Sequence, residues 1–380
     1  MSLNISWVEI NTARLLGNIR TFRNALESGT RLMAVVKSNA YGHGLDLVSE
    51  TLTSEVDWFG VDSLDEAIAV SKHAPSTPTL ILGFSRPDQS EAIARYGFRQ
   101  VVYREDVVDA LSEAALRLGV TVKLHLKIET GTNRQGVPVG DVVRFAQYAA
   151  RKRGVEIEGA YTHFSNIEDT LDPSFAMLQV ERFEQALAQL AEVGIRPREV
   201  HASATAGILL YPQTHFTMVR LGIGAYGIWP SRETRLAVRE KGFTPELQPA
   251  LTWKTRIVQL KEIAVGDYVG YGQAFQAGRP MTLAVIPVGY YEGYDRRLSG
   301  RGRALVCGKH VDVVGRVAMN MTMLDVTDAG AAVDDEVVLL GRQGDQEVSA
   351  DELADKTGTI PYEVVARINP LLERRRADRD

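Results

Sequence analysis

With a single cysteine, Cys307, in 380 residues, the chain has no internal disulfide and no cysteine-cluster metal site, which suits a reducing compartment. No apolar run reaches membrane-spanning length and no secretory signal is visible, so a cytoplasmic location away from membranes is expected. An excess of either charge is lacking too. Lys and Arg total 43 against 48 Asp and Glu, net -5, which is no electrostatic footprint for nucleic acid. The one basic cluster, Arg374 to Arg376, is interleaved with acids and reads as a solvated tail. G-x-S-x-G, G-x-x-x-x-G-K-[ST] and H-E-x-x-H are all missing, so serine-hydrolase, P-loop and zinc-protease readings have no support and no metal is expected. Internal repeats and low-complexity segments are absent as well.

A hydrophobic content of 45% with 24% charged residues describes an ordinary globular chain long enough for two domains. Apolar strand-like runs alternate with helical patterns: MAVVK (33–37), WFGV (58–61), TLILGF (79–84), QVVY (100–103), VKLHLKIE (122–129), GAYTHF (159–164), EVHASA (199–204) and TMVRLGI (217–223). Eight such units predict a closed (β/α)8 barrel, with a doubly wound open sheet as the competitor. Past the segment WPSRETRLAVREKGFTPELQP the helical patterns nearly vanish and short alternating runs predict an all-β domain. The expected division is a barrel over 10–235 and a mainly β domain over 236–380 that includes the N-terminal strand 1–9.

The stretch RLMAVVKSNAYGHG (31–44) places Lys37 where a buried strand stops and turn chemistry begins, and strand carboxyl ends are where barrels work. The bland reading is a lysine snorkelling out of a core strand. Thr205 after strand seven and Gly222-Ile223-Gly224 after strand eight offer a hydroxyl and backbone N–H groups for a phosphate ester, although the glycines could serve only a tight turn. GIGAYG (222–227) also satisfies G-x-G-x-x-G, but Pro230 interrupts any following helix and no βαβ unit frames it. An amine at one strand end and a phosphate cradle at others suggest pyridoxal phosphate. Strand five sends Lys123, His125, Lys127 and Glu129 to one face; with the aliphatic face on helices, these point into the barrel.

VKSNAYGHG, KIETGTNRQG (127–136), THF (162–164), HASATAG (201–207), MVRLGIGAYG (218–227), VGYG (269–272), PVGYYEGYDRRLSGRGRALVCGK (287–309), VGRVAMN (314–320) and IPYE (360–363) occur in that order. The set resembles the alanine racemase family across both domains. The resemblance implies pyridoxal phosphate fold type III and a racemase interconverting L- and D-alanine through an aldimine to Lys37. By the same resemblance Tyr41, Thr205, Gly222, Ile223 and Tyr362 hold the phosphate, His163 lies near the ring, and Arg220 faces the pyridine nitrogen. A guanidinium stays charged and cannot accept the ring proton, so the ring would be a weaker electron sink, favouring reprotonation at Cα. Racemisation needs an acid/base group on each face of Cα. Lys37 would serve one, and Tyr271 matches the second base, which reaches the partner subunit's site in a homodimer. Arg134 would bind the substrate carboxylate, Met319 would line the substrate, and Lys127 matches a position found as a carbamate.

Two stretches depart from the family pattern. The common C-M-D reads Ala318-Met319-Asn320, and the loop after strand three reads Gly83-Phe84-Ser85. A broad-specificity racemase acting on serine, lysine or arginine is therefore an alternative. A basic amino acid decarboxylase shares the plan, but its glycine-triplet loop and late cysteine-aspartate motif are absent. A non-catalytic pyridoxal phosphate-binding barrel would lack the second domain and Tyr271.

Overall fold

A computed structural model of the chain describes residues 5–242 and 245–377. It opens with strand β1 (Trp7–Asn11) and a helix, Thr12–Asn24. The strands that follow are β2 (Arg31–Val35), β3 (Trp58–Val61), β4 (Thr79–Ile81), β5 (Arg99–Val102), β6 (Val122–Glu129), the short β7 (Val137–Pro138), β8 (Val155–Tyr161), β9 (Glu199–His201) and β10 (Met218–Leu221). All but β1 and β7 pair in parallel around a ring, β5-β4-β3-β2-β10-β9-β8-β6, and the β5–β6 pairing closes it. The predicted eight-stranded barrel is what forms, and the open sheet is excluded by that closing pair.

Local chemistry explains the alternation. Several of the strands, β2, β3, β4 and β10 among them, are short, largely apolar runs buried on both faces, as parallel strands between helices tend to be. The helices carry their own start and stop signals: Ser63 accepts from the Glu66 N–H at the head of Leu64–His73, while Gly97 and Gly119 end Ser90–Tyr96 and Glu105–Leu118 in left-handed conformation. Met33, Trp58, Leu80, Val101, Tyr161 and Met218 interlock inside the barrel. Where β6 meets β8 the register shifts: Leu124 pairs with Ile157 but His125 with Gly159, so Glu158 is an extra residue, a β-bulge.

Strands β11 (Leu251–Arg256), β12 (Gln259–Ile263), β13 (Met281–Ile286), β14 (Arg303–Val306), β15 (Lys309–Val314), β16 (Thr322–Asp325), β17 (Glu336–Gln343), β18 (Gln346–Val348) and β19 (Glu373–Ala377) build the second sheet with β1. Compactness groups residues 1–14, 39–47 and 249–380 as one unit, and 15–38 with 48–248 as the other. Helix Arg232–Glu240 thus goes with the barrel residues. Of the segments assigned to the β domain from sequence, residues 1–4, 243–244 and 378–380 lie outside the described residues.

One expectation is corrected here. Arg374 to Arg376 are not a solvated tail: they form β19, paired in parallel with β1. Their alternation with acids hid a strand held both by its backbone pairing with β1 and by the Arg374 side chain.

Candidate active site

β2 stops at Val35, and Lys37 opens a single helical turn, Lys37–Tyr41. The turn is left-handed: Ser38, Asn39, Ala40 and Tyr41 have φ of 56°, 55°, 52° and 53°. For L-residues this costs about 1–2 kcal/mol each and is rarely sustained, so the surroundings must impose it. Glu66 accepts from the Ser38 N–H at 2.6 Å and the Asp62 N–H at 2.8 Å, and the Lys37 ammonium lies 3.5 Å from the Asp62 carboxylate. Further along the same loop, Asn39 Oδ1 accepts from the Leu45 N–H at 2.9 Å. The Gly42 carbonyl takes two bonds from Arg374, at 3.1 and 3.0 Å. Arg374 also donates to the Asn369, Leu372 and Ile368 carbonyls, and burial pulls its guanidinium down to about 10. Gly42 is obligatory, because a Cβ there would stand 2.0 Å from the Val365 carbonyl oxygen.

The carboxyl ends of the barrel strands collect buried cations. Arg220, 4% exposed, donates to the carbonyls of Ala202 at 2.7 Å and Thr162 at 2.9 Å, and faces His201 Nδ1 at 2.7 Å and His163 Nδ1 at 3.2 Å. Burial, then Arg220, Arg134, Lys127 and Lys37, push His163 down to about 3, so it is a neutral imidazole. Lys127, 5% exposed, donates to Gln135 Oε1 at 3.2 Å. Burial, then Arg134 and Arg220, lower its amine to about 8, which leaves an appreciable uncharged fraction near neutrality. Arg134 stands on a loop that Glu129 organises by accepting from the Gly131 N–H at 2.6 Å and the Arg134 N–H at 3.3 Å.

Thr205 begins helix Thr205–Leu210 after the short link Ala202-Ser203-Ala204 that follows β9, and Gly222 precedes the turn Ile223–Tyr226 directly after β10. The Gly224 N–H lies 3.3 Å from Thr205 Oγ1, so the two loops expected to share a phosphate do meet. Gly224 is packed so closely that a Cβ would lie 2.5 Å from the Phe22 ring. An amine, several cations and a hydroxyl with adjoining N–H groups form a donor set that fits a phosphorylated aldehyde and a carboxylate.

In the β unit, the Tyr41 and Tyr362 rings are 6.2 Å apart. Tyr271 is 72% exposed on a turn bracketed by Gly270 and Gly272 at φ 73° and 67°; such exposure serves no packing role within the chain. Met319 is exposed, and Asn320 Nδ2 donates to Glu292 Oε1 at 2.7 Å. The Ala318 backbone closes a tight loop, its N–H donating to the Met321 carbonyl at 2.9 Å and its carbonyl accepting from the Tyr290 N–H at 3.1 Å.

Sequence reading missed Asp62, Glu66, His201, Glu158 and Arg374. Only His201 left a signal, a histidine inside the HASATAG run at a strand's carboxyl end. Arg374 and Gly42 are 332 positions apart, and nothing local announces their bond.

Comparison with known proteins covers nearly the whole chain. Residues 10–230 match the family description "Alanine racemase, N-terminal domain" and residues 250–376 match "Alanine racemase, C-terminal domain". A curated relative named alanine racemase, from Symbiobacterium thermophilum, is 39% identical over 366 residues, covering 96% of this chain and 95% of the relative. The crystal structure of alanine racemase from Bacillus anthracis with bound L-Ala-P superposes with a TM-score of 0.91 at 30% identity, covering 99% of this chain and 96% of that one. A histidine racemase from Leuconostoc mesenteroides superposes at 0.89 with 28% identity, covering 99% of each chain. With both halves matched in order, this chain belongs to the alanine racemase family, a family of isomerases.

Proposed function

We propose that the chain is a pyridoxal phosphate-dependent racemase that interconverts L- and D-alanine. The observation that carries this is the convergence at the barrel's carboxyl end of Lys37, buried Arg220 and Lys127, neutral His163 and the joined Thr205 and Gly222–Gly224 loops. Pyridoxal phosphate, when bound, supplies the electron withdrawal that acidifies the α-proton of an amino acid. Lys37 would hold its aldehyde, the backbone at Gly222 and Ile223 with Thr205, Tyr41 and Tyr362 would bind its phosphate, and His163 would lie near its ring. Arg220 would face the ring nitrogen as a donor only, since guanidinium neither accepts nor gives up a proton at working pH.

Two faces of Cα need two groups. The Lys37 amine would take or return the proton on one, and the Tyr271 hydroxyl on the other. Tyr271 would do so in a neighbouring copy of the chain, so the working form is a homodimer with shared sites. Arg134 would bind the substrate carboxylate bidentately. The lowered amine of Lys127 supports its capture of carbon dioxide, and the resulting carbamate would place a negative group beside Arg134. A cytoplasmic location goes with this reading and with the lone thiol.

The test is exchange of the Cα proton of L-alanine for deuterium together with formation of D-alanine, on purified protein supplied with pyridoxal phosphate. Exchange with both enantiomers appearing supports the proposal. Decarboxylation, or binding without exchange, sinks it. A second reading, turnover of longer side chains, is favoured by Ala318 and by Asn320 turned onto Glu292 in place of the family's cysteine and aspartate. Running L-Ser, L-Lys and L-Arg beside L-Ala decides it.

A further inference from the structure

Behind Arg220 lies a line of buried polar groups that the racemase reading does not use. Arg220 has only donors to offer. Its Nη1 lies 2.7 Å from His201 Nδ1, so that nitrogen must accept and the His201 proton must sit on Nε2. His201 Nε2 is 2.9 Å from His125 Nδ1, which must accept in turn, leaving the His125 proton on Nε2. That nitrogen faces the Glu158 carboxylate at 3.5 Å, an electrostatic contact rather than a hydrogen bond. Every proton position along the line follows from the guanidinium at its head and the carboxylate at its foot.

We propose that His201, His125 and Glu158 are positioning residues, a one-way donor line that holds the His201 lone pair on Arg220 and thereby fixes the guanidinium at the carboxyl end of the barrel. The wrong His201 tautomer would put N–H against N–H at 2.7 Å, and Arg220 would have to turn away.

The barrel is shaped for this line. The bulge between β6 and β8 leaves Glu158 outside the regular pairing. Only glycine fits at 159, because a Cβ there would stand 2.3 Å from His125 Nδ1. Tyr161 stacks flat on His201, 4.8 Å between centroids and 5° from parallel, and Trp58 meets His125 edge-on at 5.6 Å. Both imidazoles are fully buried. Burial holds both rings below their ordinary range, which keeps each a neutral ring with a single proton.

The consequence for catalysis rests on the racemase reading; the proton positions do not. Protein labelled with ¹⁵N at histidine and loaded with pyridoxal phosphate is compared by NMR as wild type, His125→Asn and His125→Leu. Asparagine keeps an acceptor oxygen near the place of Nδ1, whereas leucine removes it. The wild type is expected to show both rings neutral with the proton on Nε2. His125→Asn should retain the His201 signal and keep kcat within about threefold, while His125→Leu should lose that signal and lower kcat at least about tenfold with KM for alanine nearly unchanged. A wild-type His201 protonated on Nδ1 or on both nitrogens overturns the proposal, as does a folded His125→Leu protein with unchanged kcat. Should His125→Leu not fold, the wild-type spectrum and His125→Asn still decide it. A wild type that leaves the alanine Cα proton in place would refute the racemase reading, with the NMR result standing apart.

Discussion

The two ends of the barrel bury charges of opposite sign. At the amino ends of the strands the buried groups are carboxylates. Glu158, its side chain 1% exposed, meets Arg99 at 3.2 Å, Lys123 at 3.0 Å and Arg198. Glu199, equally buried, meets Arg31. Their cationic partners reach solvent, so each buried carboxylate has a countercharge within the chain, and removing one side of such a cluster is costly. At the carboxyl ends the buried groups are Arg220 and Lys127, and the bonds described for them run to carbonyls, imidazoles and an amide, all neutral. Neutral acceptors satisfy a cation's hydrogen bonds and leave much of its field in place for a ligand. The amino end buries anions among cations, whereas the carboxyl end gathers cations on the side where Lys37 emerges.

Removing one charge from each end should weigh differently on activity and on stability. Lys37→Ala is expected to lower racemisation by about a thousandfold or more while leaving the thermal midpoint nearly where it was, since its side chain is 40% exposed. Steady-state rates beside a melting curve check this, and a large loss of stability would erase the contrast. Glu158→Leu should act on both, costing about 3–5 kcal/mol of unfolding free energy by removing the shared partner of three cations, read from urea denaturation, and lowering kcat through His125 and His201.

In the β unit, Arg374→Met should cost about 2 kcal/mol by leaving carbonyls without donors, and should raise amide exchange at Gly44, whose N–H donates to Asn39. An unchanged exchange rate would mean that the left-handed turn holds itself.

The ends should also part in acid. His163 is held at about 3 against an ordinary 6.5. The unfolded ring takes its proton first, so this group's support is complete above 6.5 and drains away as pH falls toward 3. Glu158 is depressed from an ordinary 4.5 by His125, Arg198 and Lys123, which together outweigh the opposing effect of its own burial, so its support is lost only below that value. The urea midpoint should therefore begin to fall near 6.5, and His163→Gln should flatten the first part of the slope. The smallest change is expected from Asn320→Asp, which should shift the alanine-to-serine preference by less than about tenfold.

The barrel was legible in the chain because its strands and helices alternate in period, and several helices carry their own signals, such as the serine cap at Ser63 and the glycine stops at Gly97 and Gly119. The Lys37 stretch and the glycine turn after β10 were legible because they sit where periodic patterns end. Arg374 was misread because its acceptors are backbone carbonyls, and a carbonyl leaves no trace in composition. Glu158 was missed because a register shift, not its neighbours in sequence, takes it out of the regular pairing.

The sequence by itself determined the family, the order of elements, the barrel plan and the residue types available for chemistry, since these depend on local periodicity and on motif spacing. Only the tertiary structure decided which charges are buried and at which end of the barrel, and which way the protons point behind Arg220. Both depend on groups brought together from distant positions in a medium where water cannot screen or substitute for a partner.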